Sequence, residues 1–104
     1  VNERSPEEEI SRGGAAERLL QDPLFVEACN ALDAELRMLR ERVPLRDTEM
    51  HTRLILAEQM HGKVLDYLRG VMQNGEAARL ILRDREGLYQ RMRNAMDHGL
   101  RNSF

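Results

Sequence analysis

From Met50 to Val71 the apolar residues fall on one line. Met50, Leu54, Ala57, His61, Val64, Leu68 and Val71 follow one another at alternating spacings of four and three, a near-heptad stripe that lies along one side of an α-helix. A strand, with its period of two, would scatter the same residues over both faces. Leu56, Met60, Leu65, Tyr67 and Met72 lie off this seam, so the helix is apolar on more than one side.

A companion precedes it. Between Pro23 and Arg42, continuing to Val43, the residues Phe25, Ala28, Leu32, Leu36, Leu39 and Val43 are spaced by three, four, four, three and four, a second continuous helical face. Leu24, Ala31 and Met38 widen it, and Arg37, Arg40 and Arg42 load its end with the positive charge that a helix C-terminus favours. Pro44 lacks a donor and restrains Val43, so Val43-Pro44-Leu45-Arg46 reads as a short connection and the two helices as antiparallel neighbours. Asp47 or Thr48 caps the second helix. The composition agrees. Hydrophobic residues make up 41 % of the 104, yet only Phe25, Tyr67, Tyr89 and Phe104 are aromatic and Trp is absent. A core of Leu, Met, Ala and Val suits helices packed side by side, in one small domain at most.

The ends carry different signals. Ser5-Pro6 with Glu8 three residues past the cap is a capping-box pattern, but Gly13-Gly14 costs about 2 kcal/mol relative to two alanines inside a helix. Residues 1–14 therefore read as an acidic arm. Helical composition resumes at Ala15, and Asp22-Pro23 forms a second cap and first-turn pair that kinks the chain or starts a new helix. Asn74-Gly75 stands where a left-handed cap belongs, so the hairpin is expected to occupy 15–75. Residues 76–104 then form a basic extension of one or two short helices, ended by Gly99 and followed by a frayed tail from Leu100. The fold class is all-α, a long antiparallel helical hairpin with these short C-terminal helices.

The formal charge of −2 hides a gradient: residues 1–22 hold three Arg against six acids, and 76–104 hold six Arg against four acids. Fifteen of the sixteen basic residues are Arg. Arg79, Arg83, Arg91 and Arg93 are candidate anion or protein contacts, although Glu76, Asp84, Glu86 and Asp97 are interleaved with them. Val1 to Arg12 contains four acids and no apolar run, unlike a signal peptide, and no run of about 18 apolar residues is present to span a bilayer. One cysteine, Cys29, cannot make an intrachain disulfide, which points to synthesis in a reducing cytoplasm.

Catalytic signals are weak. Glu58-x-x-His61 has the spacing by which a carboxylate and an imidazole reach one metal from adjacent turns of a bundle, but there is no second copy, and Glu35 is the one loose candidate for a further carboxylate. His61 reads as a packed or hydrogen-bonded seam histidine, and His51 and His98 stand alone. Cys29 has no basic residue within a turn to activate it. Thr48, Thr52 and Ser103 lack an oxyanion-forming glycine motif, and the glycines make no phosphate cradle. Gly62 and Gly70, inside the second long helix, fit either close approach of another helix or a tolerated surface position. The expectation is of no enzyme, no metal and no cofactor.

The run Ala16-Glu17-Arg18-Leu19-Leu20-Gln21-Asp22-Pro23-Leu24-Phe25-Val26-Glu27-Ala28, the turn at Arg46-Asp47-Thr48 and the helix end Leu68-x5-Asn74-Gly75-Glu76-Ala77 together resemble small helical proteins encoded among the head and packaging genes of tailed bacteriophages and prophages. The resemblance spans roughly residues 15–78, rests on helix punctuation and implies a virion or assembly role, with portal, capsid or tail proteins as partners. A hairpin of this size leaves apolar surface exposed, so a homo-oligomer is expected. Its interface would use Phe25, Leu32, Leu36 and Leu39 from the first long helix and Leu54, His61, Val64, Leu68 and Val71 from the second. Two other functions fit the same residues. One is a packaging-type DNA-binding subunit, similar to a small terminase, and the other a host-directed inhibitor or regulator.

Overall fold

Three side-chain caps set the chain's corners. Ser5 Oγ accepts from the Glu8 amide at 3.2 Å, Asp22 Oδ1 from the Phe25 amide at 2.9 Å, and Asp47 Oδ1 from the Met50 amide at 3.1 Å. Each cap satisfies a first-turn donor that the helix itself cannot. In the computed structural model, which describes residues 3–102, the caps open α1 (Pro6–Gln21), α2 (Pro23–Arg42) and α3 (Thr48–Asn102). Asp22 has φ −64° and ψ 123°. This one extended residue closes α1 and opens α2, so Asp22-Pro23 divides two helices. The connection from Val43 to Asp47 is held by the Asp47 amide donating to Pro44 O at 2.9 Å, and the His51 ring stands 3.2 Å from the same carbonyl.

α1 and α2 run antiparallel to α3, one after the other. Arg40 of α2 meets Glu58 and Asp33 meets His61. Farther along, Arg12 of α1 reaches the Tyr67 hydroxyl, and the Glu9 carbonyl and Gly13 lie against Gly75. The chain is thus all-α with a hairpin-like arrangement, as its periodicity predicts.

The glycines were misread by sequence. α1 runs without a break through Gly13-Gly14, and α3 through Gly75, Gly87 and Gly99 to Asn102. No glycine among the described residues has a positive φ. Gly13 and Gly75 serve close approach. A Cβ built on Gly13 would lie 2.8 Å from the Gly75 Cα, and one on Gly75 would lie 2.9 Å from both the Glu9 oxygen and the Gly13 Cα. The two backbones touch there, flanked by the buried Ala16 and Ala78. The helix-propensity penalty of each glycine is offset by that contact. Residues 6–14, read as an arm, therefore belong to a packed helix, and residues 76–102 continue α3 rather than forming separate short helices. Gly62 and Gly70 face open space, which resolves their two readings in favour of the tolerated surface position. Val1, Asn2, Ser103 and Phe104, in the expected arm and tail, lie outside the described residues.

Little of the chain is enclosed. Ala16, Leu36, Leu54 and Ala78 are the buried apolar side chains, and none is fully buried among the described residues. The molecule measures 88 × 30 × 20 Å with a radius of gyration of 24.0 Å, against about 13 Å for a compact domain of this length. Its accessible surface is 8834 Å², whereas a compact monomer of its mass exposes about 6,000 Å². The excess is about 2,800 Å².

Candidate interaction surface

The expected interface residues divide into two groups. Leu36 and Leu54, each 7 % exposed, are buried where α2 faces α3. Phe25, His61, Leu68 and Val71 are half-buried, and Leu32, Leu39 and Val64 are exposed. The near-heptad seam is therefore used partly within the chain, and its outer positions face solvent. Arg40 Nη1 donates to both Glu58 carboxylate oxygens at 2.9 Å, and Asp33 Oδ1 stands 3.5 Å from His61 Nδ1. These contacts fix the α2–α3 register. His61 Nε2 is buried without a hydrogen-bond partner. Glu58 is thus engaged by Arg40 and His61 by Asp33, and among the described residues no three His, Cys, Asp or Glu side chains gather as metal ligands do. Cys29 is a half-buried free thiol.

Two exposed apolar patches remain on α3. The first consists of Leu56, Met60, Val64 and Tyr67, spaced by four, four and three residues, which places them on one side of the helix. The second lies beyond the reach of α1, on the distal part of α3, where Leu88, Tyr89, Met92 and Met96 are all at least half exposed. From Arg83 to His98 every residue is exposed. The two patches belong to one face. Leu56, Met60, Val64, Tyr67, Val71 and Gly75 continue at spacings of three and four through Ala78, Leu82, Arg85, Tyr89, Met92 and Met96, a mean step close to the 3.6 residues of an α-helical turn. α1 crosses this face at its middle, around Gly75, and leaves both ends open.

Sequence reasoning placed the interface on the central seam and omitted the distal patch. The signal that marks it is a seven-residue repeat of apolar pairs: Ile81-Leu82, Leu88-Tyr89 and Ala95-Met96. Placing a helix end at Asn74-Gly75 separates these residues from the central seam, which they continue only if the helix is unbroken.

The arginines form no uniform surface. All four named residues are exposed. At about 100° per residue Arg79, Arg83 and Arg93 share an arc of about 80°, and Arg91 lies about 120° from Arg79. Glu86 and Asp97 occupy the same arc. Arg91 Nε donates to its own helix, to Gly87 O at 3.4 Å. Where α1 ends on α3, Glu76, Arg79, Leu80 and Arg83 line an open depression. A smaller cleft of about 100 Å³ lies beside the Gly13–Gly75 crossing, between Ile10, Glu17, Met72 and Arg79.

No helix among the described residues is long and apolar enough to cross a membrane. Compared with known proteins, the chain matches no family model, no curated protein and no solved structure.

Proposed function

We propose that the chain is a non-enzymatic helical interaction module that acts in an oligomeric assembly, as a structural or assembly protein of a tailed-bacteriophage particle. The observation that carries the interaction role is the rod itself. A chain of 12.1 kDa presents about 2,800 Å² more surface than a compact monomer, and eight large apolar side chains, Leu56, Met60, Val64, Tyr67, Leu88, Tyr89, Met92 and Met96, lie exposed in two groups on α3. Monomeric proteins seldom leave such contiguous apolar patches uncovered. The phage setting rests on the helix corners at Asp22-Pro23 and Arg46-Asp47-Thr48, which resemble those of head and packaging proteins; the helix end expected at Asn74-Gly75 does not contribute, because α3 continues through it. In that setting the protein is made in the bacterial cytoplasm and taken into the virion.

A DNA-packaging subunit is the weaker reading, because acids share the arc that holds Arg79, Arg83 and Arg93, and counterion release needs several uncompensated cations. The test is binding. Purified full-length protein is mixed with portal, capsid and tail proteins of tailed bacteriophages, and complexes are sought by light-scattering mass after gel filtration. A complex with one of them, or a stable homo-oligomer, supports the reading. A well-folded monomer with no affinity for any of them refutes it, and binding to duplex DNA that weakens steeply with salt favours the packaging role instead.

A further inference from the structure

We propose that the distal part of α3, residues 81–96, pairs with the same segment of a second copy as an antiparallel two-stranded coiled coil. This rests on the interaction-module reading above and names the surface, the partner and the orientation.

The apolar pairs Ile81-Leu82, Leu88-Tyr89 and Ala95-Met96 repeat every seven residues, with Arg85 and Met92 at the intervening seam positions, which is the pattern of a coiled-coil seam. Beyond Leu82 no other described part of the chain covers it: Met92 is 52 % and Met96 67 % exposed. A helical segment of this length without tertiary contact gains little stability beyond its propensity, and a neighbour packed on its apolar face would add to it. The segment is open along its length, since every residue from Arg83 to His98 is exposed.

Charge selects the orientation. In a parallel pair the seam would set Arg85 directly against Arg85 of the second copy, and the flanking Glu86 and Arg93 would face Ile81 and Leu88. In an antiparallel pair Tyr89 of one copy packs on Met92 of the other, and Met96 on Arg85. Glu86 then lies opposite Arg93 of the other copy, twice by symmetry. The two Arg85 side chains stand about 16 Å apart along the axis at 1.5 Å per residue, beyond the screening length of about 8 Å at physiological salt.

Length agrees with that register. α1 covers α3 to about Leu82, which is half-buried, and exposure begins at Arg83. In the antiparallel register Leu82 of one copy sits opposite position 99 of the other. The stretch from Arg83 to His98, the part of α3 that α1 does not reach, is then paired along its whole length.

The orientation is tested by cross-linking full-length proteins that carry Cys29→Ala and one new cysteine, either Arg85→Cys or Met96→Cys, under mild oxidation. A disulfide forms only where the Cα atoms come within about 7 Å. The expected result is a covalent dimer in the equimolar mixture, containing one chain of each kind, and little from either variant alone. Efficient cross-linking of each variant by itself indicates a parallel pair and overturns the proposal. Met92→Glu supplies the second readout: Met92 touches no other element, so the hairpin folds, and the dimer should weaken at least tenfold. No cross-linked species in the mixture together with an unchanged mass for Met92→Glu also overturns the proposal. The wider reading then stands or falls separately, on whether the protein binds phage proteins or associates through another face.

Discussion

Adding one methyl group at Gly75 should destabilise this protein, although the same change stabilises an ordinary helix. In a helix interior Gly→Ala is favourable by about 1 kcal/mol. At Gly75 the new Cβ would sit 2.9 Å from the Glu9 oxygen and 2.9 Å from the Gly13 Cα. Both neighbours are backbone, which cannot rotate away. Restoring ordinary contact requires α1 and α3 to part by roughly 0.6–1 Å, and that loosens the packing of Ala16 and Ala78. Overpacking of this kind costs about 1–3 kcal/mol; with no flexible side chain to yield, the upper half of that range applies. The net loss for Gly75→Ala is then about 1–2 kcal/mol, at about 4–8 °C of Tm per kcal/mol for a domain of this size. Gly62→Ala and Gly70→Ala are the controls, because nothing lies within 4 Å of a Cβ at either position, and each should gain up to about 1 kcal/mol. The assay is thermal and urea unfolding followed by circular dichroism at one fixed protein concentration, since association shifts apparent stability. Hydrogen exchange should show α1 amides losing protection first in Gly75→Ala. If Gly75→Ala stabilises the protein as much as Gly62→Ala does, the close crossing of α1 and α3 is wrong.

Leu36→Ala and Leu54→Ala should each cost about 2–4 kcal/mol in urea unfolding, because both side chains are buried and leave a cavity between α2 and α3. Asp22→Ala and Asp47→Ala should each lose about 1 kcal/mol through the missing cap bonds to Phe25 and Met50, seen as a lower urea midpoint with unchanged slope. Arg40→Ala should cost no more than about 1 kcal/mol, because the pair with Glu58 is partly exposed, and the loss should shrink in high salt. Met60→Glu, on the first open patch, should leave the unfolding temperature within about 2 °C of the parent, as a surface change does; a much larger fall would place Met60 in an interior contact.

Periodicity and caps made the helices legible. Phe25 through Val43 and Met50 through Val71 each present one face at helical spacing, and the Asp22-Pro23 pair and the Pro44 connection fall where the chain turns. Glycine was the source of error. Gly13 and Gly75 look like helix breakers because propensity is a local quantity, and their use is a contact between residues 62 positions apart in the sequence. The local cost of about 1 kcal/mol each is offset by backbone contact that no pattern within one helix reveals. Leu88, Met92, Ala95 and Met96 read as an amphipathic segment of their own, and the misplaced break at Gly75 detached them from the seam, with which they align only on an unbroken axis. The division of the central seam was beyond sequence for a related reason. Whether Leu54 or Val64 is covered depends on where α2 gives way to α1, and this is set by the kink at Asp22.

Of the surface that this chain leaves open, a second copy should cover the distal part of α3, residues 81–96. Sedimentation equilibrium of the full-length protein across concentrations from about 5 to 200 μM, the range in which a micromolar interface is populated, measures this directly. The expected mass rises to twice 12.1 kDa and falls back to the single-chain mass in Met92→Glu. A mass that stays at 12.1 kDa throughout, in a protein that remains fully helical, would contradict this pairing.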